Sequence, residues 1–266
     1  MSKFIQKLPF NSRWSITFKI LPLISLIILI KYFTSYFQFD RIELNNIFTA
    51  LISANIFLIG FLISGVLSDY KEGEKLPGDL ATSLESLADE AWIIYQNTKS
   101  EVALEYLSKI DELTKSILKW FNKKEKNEVL KDKIFELNIY FLKFEPLTQA
   151  NFISRLKQEQ SQLRKIINRI HTIRETSFLG TGYAIAEIIT TLLIVGMLFI
   201  NIGKSFMEEL IFTGFVSFIL IYMINLIKDL DNPFGYYAED NLSENVSLKP
   251  IENVHLRLHN MVSKID

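Results

Sequence analysis

The chain is organised around residues 44–80, which read LNNIFTALISANIFLIGFLISGVLSDYKEGEKLPGDL. Between Glu43 and Asp69 no residue carries a charge, which leaves 25 consecutive uncharged positions. At a rise of 1.5 Å per residue these positions form a helix of about 37 Å, longer than the ~30 Å hydrocarbon core of a bilayer. The run therefore predicts a helix that crosses a membrane.

The predicted helix is not uniform around its circumference. With residues placed about 100° apart, one sector about 100° wide holds small, hydroxyl-bearing and aromatic side chains, whereas the remaining surface is aliphatic. Small side chains let another helix pack closely, so the sector is a candidate helix–helix contact. The alternative is a sector that faces a lumen, where Phe57 and Phe61 of several subunits form apolar rings. The sector consists of Ser53, Phe57, Gly60, Phe61, Ser64 and Ser68.

A family resemblance begins inside this helix and continues past its end. A Gly-Phe pair is followed, without gaps, by an aromatic residue and then by the motif Glu-x-x-Lys-Leu-x-Gly. In this register the segment resembles the second transmembrane helix and the cytosolic exit of microbial bestrophin-type channels. The residues that carry the resemblance are Gly60, Phe61, Tyr70, Glu72, Lys75, Leu76 and Gly78.

A second resemblance follows the last hydrophobic stretch. Residues 229–235 read DLDNPFG and are similar to the acidic Pro-Phe-Gly segment of the same family. The chain departs from the family pattern where residues 62–64 place Leu-Ile-Ser instead of a polar triplet, and where Lys71 follows Tyr70 instead of a second aromatic residue. The chain is therefore predicted to be a divergent, bestrophin-like protein of a microbial branch.

The resemblance implies a homopentameric ion channel whose pore is lined by five copies of the second helix. It matches three residues of the sector to the neck of the family's pore. Because helical spacing independently groups the same three residues, we favour the lumen over packing. The expected pore residues are Ser53, Phe57 and Phe61 in the neck, Gly60, Ser64 and Ser68 along the lumen, and Asp69 and Glu72 at the cytosolic mouth.

Ion selectivity is left open by the residues. Relatives conduct anions or cations, and Asp69 with Glu72 at the mouth favours cations. The predicted helix 155–174 carries six Lys or Arg residues and one His against the single acid Glu159, which favours anions in a cytosolic vestibule, although a solvated basic face explains it equally well. We expect anion conduction, with chloride as the ion, slightly ahead of cation conduction.

Composition agrees with a membrane protein that has a large aqueous part. Of 266 residues, 49% are apolar and 22% are charged, and the net charge is −1, so no global basic field recruits nucleic acid. The chain has no cysteine, which excludes disulfides and thiol catalysis. With neither a nucleophile–base pattern nor a phosphate loop, the sequence does not predict an enzyme.

Four hydrophobic segments predict four transmembrane helices around a charged middle segment. Lys31 is expected to snorkel from the first of them toward the headgroups. The asymmetry of Lys and Arg places the middle segment and both termini in the cytoplasm of a multi-pass cell-membrane protein. The predicted spans are Ile16–Phe39, the second helix, Phe178–Ile202 and Leu210–Ile227. The predicted regions are 1–68 with a surface helix at 1–15, the cytosolic region 69–177, the spans within 178–228, and the cytosolic tail 229–266.

The middle segment carries apolar stripes at helical spacing and no strand of useful length, so the fold class is an all-α membrane protein with a cytosolic helical bundle. Pro233-Phe234-Gly235 is expected to redirect the tail and to anchor it on this bundle or on a neighbouring subunit. The stripes begin at Leu80, Val102, Ile134 and Leu156, and a last helix is predicted at Ile251–Val262.

Several polar residues are candidate sites. Glu187 is a possible intramembrane polar site, although a position close to the interface explains it as well. His255 and His259 have the i, i+4 spacing of metal ligands but no third ligand, so no metal and no cofactor is expected.

Interhelical hydrogen bonds are expected from three asparagines, Asn55, Asn201 and Asn225. Calcium is considered because Asp231, Glu239, Asp240 and Glu244 lie where animal bestrophins place an acidic clasp, but a solvated loop is preferred.

The alternative function is a membrane-anchored scaffold or signalling protein whose helical cytosolic domain recruits a partner. A channel requires a closed ring of subunits around the second helix, whereas a scaffold does not. A transporter is disfavoured because no internal repeat is visible. The expected partners of the channel are the lipid bilayer, inorganic ions and further copies of the chain.

Overall fold

The computed structural model describes residues 14–177, 179–201, 205–235 and 245–263. Helices dominate this part of the chain, which confirms the all-α class. Most of the predicted surface helix at residues 1–15 lies outside it. The elements are α1 Ser15–Tyr36, β1 Ile42–Glu43, α2 Asn46–Thr98, α3 Glu101–Phe121, α4 Asn127–Phe144, α5 Ala150–Glu175, α6 Gly180–Phe199, β2 Ile200–Asn201, α7 Phe206–Leu230 and α8 Lys249–Val262.

Within the described ranges, four helical segments are long and apolar enough to cross a membrane, as predicted, and they correspond to α1, the first half of α2, α6 and α7. α1 ends at Tyr36 instead of Phe39, because Gln38 has a φ of 55°, in the left-handed region that stops a helix. α2 continues without a break past the predicted uncharged span at 44–68 and ends only at Thr98, since its apolar stripe continues at helical spacing beyond Pro77.

The chain forms two compact units. Of the described residues, the first unit takes 14–70 and those within 177–232, and the second takes 71–176, 233–235 and 245–263. The boundary along α2 therefore falls between Tyr70 and Lys71. The two strands, β1 and β2, belong to the first unit and form one parallel pair, in which Ile42 lies opposite Ile200.

The core of the first unit is built by aliphatic stripes. α1 buries one isoleucine per turn, from Ile16 to Ile27, against α6 and α7. A second cluster joins α2 to the same two helices, and Gly182 lets α6 approach closely, because a Cβ there would lie 3.0 Å from the Leu62 side chain. The members of this cluster are Ile59, Leu62, Val66, Ala186, Leu220, Ile224 and Ile227.

Lys31 does not snorkel, so that prediction is wrong. Its side chain is fully buried, and its Nζ donates a 2.7 Å hydrogen bond to the carbonyl oxygen of Ile200. The carboxylates of Asp40 and Glu209 lie 3.5 and 3.7 Å from the same Nζ. The hydroxyl of Ser35 lies 2.7 Å from Asp40 and 3.2 Å from Glu209. A long cationic side chain turns inward here because a buried charge is tolerated when it is paired and hydrogen-bonded.

The second unit is a helical bundle in which α3 packs against α4 and α8, and α4 packs against α5. The predicted stripes are buried in its core, for example at Leu84, Ile110 and Leu163. The tail anchors on this bundle, as one of the two predicted alternatives had it. Phe234 is fully buried, with its ring 5.6 Å from that of Phe121. It lies beside Gly73, where an added Cβ would meet Phe234 at 3.5 Å.

Candidate pore-lining face and its surroundings

The buried face of α2 fixes the orientation of the helix within the first unit. Ile59, Leu62 and Val66 lie in the core, and the amide nitrogen of Asn55 donates a 2.8 Å hydrogen bond to the hydroxyl of Thr190 on α6. The predicted interhelical bond of Asn55 is therefore confirmed. Because this face is held by α6 and α7, the opposite face of α2 is turned away from the core of its own chain.

The predicted pore sector lies on that opposite face. All six of its residues, Ser53, Phe57, Gly60, Phe61, Ser64 and Ser68, are exposed in the single chain. Phe57 is 78% exposed and Phe61 56%. A Cβ placed on Gly60 would meet no atom within 4 Å. Among the described residues the sector is therefore not a packing surface within one chain, and its assignment to a pore stays a prediction.

The hydroxyl group of Ser53 does not require a partner from another helix. Ser53, at one end, donates a 2.9 Å hydrogen bond to the carbonyl oxygen of Thr49 in its own α2. A serine bonded to its own helix exposes little unsatisfied polarity, so it suits an apolar neighbour or a water-filled lumen equally well. Within the sector, Phe57 and Phe61 are therefore the residues whose exposure most needs an explanation.

Glu72, which is expected at the cytosolic mouth, forms an ion pair with an arginine of α5. Arg169 on α5 donates two hydrogen bonds to its carboxylate, at 2.7 and 2.5 Å. The hydrogen bond from Arg169 holds the pKa of Glu72 below its ordinary value, against a smaller opposing effect of burial. Pairing through two hydrogen bonds fixes both side chains. The positive charge of Arg169 then compensates the negative charge of the ionised Glu72 carboxylate at neutral pH.

The basic helix predicted at 155–174 lies within α5, and several of its cations are paired. Besides Arg169, Arg155 contacts the nearly buried carboxylate of Glu90 at 2.9 Å. Arg174 stacks on the ring of Trp120, 4.7 Å from its centroid. Part of the positive charge of α5 is therefore explained by packing contacts inside the second unit.

Glu187 forms an ion pair with Lys228 on α7, at 2.8 Å. The two side chains are 42% and 56% exposed, so the pair lies at the surface of the first unit. Asn225, one turn before Lys228, bonds the carbonyl oxygen of Ile221 in its own helix, so its predicted interhelical bond is wrong. Asn201 lies in β2, where its carbonyl oxygen accepts from the backbone of Leu44.

Comparison with known proteins identifies the architecture. No protein-family model matches the sequence, and no curated protein matches it. Solved structures of a bacterial bestrophin homolog from Klebsiella pneumoniae do match. One point variant has a TM-score of 0.77 and 15% identity, covering 92% of this chain and 99% of the homolog. The chain has the bestrophin fold. A second structure of the homolog matches with a TM-score of 0.75 at 14% identity, covering 93% of this chain and 98% of the homolog.

The bestrophin fold bears out the resemblance drawn from residues 60–78 and 229–235. At 15% identity the likeness establishes the fold, and it leaves the pore residues as predictions. The two short motifs were informative, although the sequence as a whole has diverged, because packing constrains their positions. Both motifs lie in described positions where the backbone is constrained: Gly73 and Phe234 pack against each other, and Glu72 is bonded by Arg169.

The candidate metal and calcium residues do not form a centre in the described part of this bestrophin fold. His255 lies 2.7 Å from a carboxylate oxygen of Asp111, and His259 lies 3.6 Å from the other. No group of three or more His, Asp or Glu residues there is arranged to hold a metal. Asp231 accepts a 2.7 Å hydrogen bond from Tyr183. The other acidic residues proposed for calcium, Glu239, Asp240 and Glu244, lie outside the described residues.

Two groupings were missed by the sequence analysis. One is the buried cluster of Lys31, Asp40 and Glu209, which joins segments separated by as many as 178 positions along the chain. The other is the pairing of Glu72 with Arg169, which lies 97 positions away. A lysine inside an apolar run was a usable signal in the first case, since charges in spans are usually paired.

Proposed function

We propose that the chain assembles as a homopentameric ion channel in the cell membrane, with a pore lined by α2. The observation that carries the proposal is the exposed sector of α2, which belongs to a chain with the bestrophin fold. A face that holds two exposed phenylalanines, and that its own chain leaves uncovered, is explained when copies of α2 surround a common axis. The proposal assigns ion transport and no catalysis.

Phe57 and Phe61 form the narrow neck in this proposal, together with Ser53. They are four residues apart, so they lie one helical turn apart on the same face. Rings of phenylalanine in a narrow lumen disfavour a continuous water column, so ions pass when the rings move or the neck wets. Gly60, Ser64 and Ser68 line the lumen beside the neck.

Anion conduction, with chloride as the ion, is the proposed selectivity. The pairing of Glu72 with Arg169 removes one charge from each side of the comparison, which leaves Asp69 in favour of cations and the other cations of α5 in favour of anions. The described lumen residues carry no charge of their own, so the fields of surrounding groups set the preference. The reversal potential across a bilayer with a KCl gradient separates the two outcomes, since it takes opposite signs for chloride and for potassium.

The neck is tested by the double variant Phe57→Ala/Phe61→Ala, reconstituted in planar bilayers. A hydrophobic neck predicts an assembled pentamer with a larger current than the wild type, because the apolar rings are removed. The melting temperature should shift by no more than about 2–4 °C, since the two exposed side chains contribute within about 0.5 kcal/mol each. Phe212→Ala/Phe215→Ala on α7, where both phenylalanines are also exposed, is the matched control and should leave the current unchanged.

Two results would contradict the neck. One is a destabilised double variant without any gain in current, which indicates that the phenylalanines pack between subunits. The other is an equal gain from the control variant, which indicates a non-specific effect on the membrane part. The subunit count of purified wild-type particles tests the ring itself, because a particle with too few copies to enclose an axis excludes a pore along α2.

A membrane-anchored scaffold is the second candidate function. It is favoured by exposed apolar side chains on α4, in the second unit, where Phe135 is 65% exposed and Leu142 71%. Such side chains outside a membrane indicate contact with another protein surface. The scaffold predicts no current from any variant and binding of a partner that Phe135→Ser abolishes, whereas the channel predicts current that does not require a partner.

A further inference from the structure

A groove opens on the surface of the first unit between the apolar helices α1, α6 and α7. Its volume is about 460 Å³, within the range of small-molecule pockets. Its walls are mainly aliphatic, and the two charged residues among those that line it, Glu187 and Lys228, form an ion pair. Representative wall residues from the three helices are Leu23, Leu26, Ile30, Val195, Leu198 and Ile221.

The charged end of the groove is accessible. Glu187 and Lys228 are 42% and 56% exposed, although both belong to helices long and apolar enough to cross a membrane. Charged side chains in such helices usually face the bundle interior or a water-filled cavity. A partly exposed ion pair contributes little to stability, so its two members can exchange partners with a bound molecule at small cost.

The length of the groove matches one leaflet of a bilayer. Glu187 and Leu198 line it eleven positions apart on α6, which corresponds to about 16 Å of helix. Half of a hydrocarbon core of ~30 Å is about 15 Å. A molecule with a polar head at Glu187 and an aliphatic chain toward Leu198 therefore fits the dimensions of one lipid leaflet.

We propose that this groove binds one zwitterionic phospholipid with a primary amine headgroup. The lipid phosphate pairs with Lys228, the ammonium group pairs with Glu187, and one acyl chain lies along the aliphatic walls. The site offers one positive and one negative charge, as the headgroup does. An anionic lipid would place an uncompensated negative charge beside Glu187, and a trimethylated amine lacks the N–H donors that form charge-assisted hydrogen bonds to a carboxylate.

The proposal is tested by native mass spectrometry of the full-length protein in detergent. Phosphatidylethanolamine, phosphatidylcholine and phosphatidylglycerol with identical acyl chains are added at equal concentrations. Phosphatidylethanolamine should bind about tenfold more tightly than the other two, the factor expected from one charge-assisted hydrogen bond. Glu187→Gln should reduce that preference to the level of phosphatidylcholine, whereas Lys228→Met should weaken all three lipids. A wild type that prefers phosphatidylglycerol, or shows no preference, overturns the headgroup assignment.

The location of the site is tested by a matched pair of tryptophan variants on α1. Leu26 lines the groove and Leu29 does not, and both are 51% exposed. Leu26→Trp fills the groove and should abolish the phosphatidylethanolamine preference, whereas Leu29→Trp should retain it. Equal effects of the two variants overturn the groove as the binding site. Loss of the oligomer in Leu26→Trp but not in Leu29→Trp overturns the lipid as its occupant, because the face is then a contact between copies of the chain.

Discussion

Replacing Lys31 by methionine tests the buried charge cluster of the first unit. The variant keeps an unbranched side chain of similar length but removes the cation that lies 3.5 Å from Asp40 and 3.7 Å from Glu209. It also removes the 2.7 Å hydrogen bond to the carbonyl oxygen of Ile200. Two carboxylates that are 7% and 5% exposed then lose this shared cation.

The expected loss in the free energy of unfolding follows from the two buried carboxylates that remain after the cation is removed. Removing one partner of a buried ion pair costs about 3–5 kcal/mol, because the remaining charge stays desolvated. For a chain of this size about 1 kcal/mol corresponds to roughly 2–4 °C, so the melting temperature of Lys31→Met should fall by roughly 6–20 °C. Thermal unfolding of detergent-solubilised protein, followed by intrinsic fluorescence, measures the shift.

Two further variants make the test specific. Lys19→Met removes an exposed lysine from the same helix, α1, and should leave the melting temperature unchanged within about 2 °C. The triple variant Lys31→Met/Asp40→Asn/Glu209→Gln removes all three charges and should recover most of the loss, since replacing a whole buried charge cluster is often neutral. A Lys31→Met variant as stable as Lys19→Met, or a triple variant less stable than the single one, would refute the cluster.

Three other predictions concern the second unit. Phe234→Ala should lower the stability of the bundle by about 3–5 kcal/mol, whereas Phe135→Ala, at an exposed site, should change it by less than about 0.5 kcal/mol in the same unfolding assay. Arg169 lowers the pKa of Glu72, so the stability contributed by Glu72 is present above its ordinary value of 4.5 and is lost as the pH falls through the lowered pKa. The difference in melting temperature between wild type and Glu72→Gln should therefore disappear on acidification, and a difference that persists or grows would exclude this linkage. A cysteine introduced at Lys123 should resist labelling from outside intact cells, and ready labelling would reverse the proposed topology.

The helices of this chain were predictable because their signals are local. An uncharged run long enough for a bilayer, or an apolar stripe such as the one through Leu84, needs only neighbours within a few turns. The uncharged run indicates a helix only as far as Ser68, whereas α2 continues through Pro77 to Thr98, because burial of the following stripe outweighs the missing backbone hydrogen bond. Tertiary packing overrides local preference in this case.

The polar groupings were less predictable because they depend on tertiary contacts. The residues near Lys31 in the sequence do not indicate that Glu209 lies close to it. A lysine in an apolar helix whose partner is unknown is usually expected to snorkel toward the headgroups. The exposed sector of α2 is a different case. Its residues were grouped correctly on one face from spacing alone, but Phe57 and Phe61 are exposed in the single chain, so neither the sequence nor one subunit determines what they contact.

The discontinuous second unit has a consequence for synthesis at the ribosome. Residues 71–176 emerge early, but Phe234 and helix α8, which complete the core around Phe121 and cover α3, are translated only after α6 and α7. The bundle therefore stays unfinished while the last two hydrophobic helices are delivered to the translocon. A nascent chain that fails this delivery keeps an uncovered apolar surface, the feature by which chaperones and proteases recognise incomplete proteins.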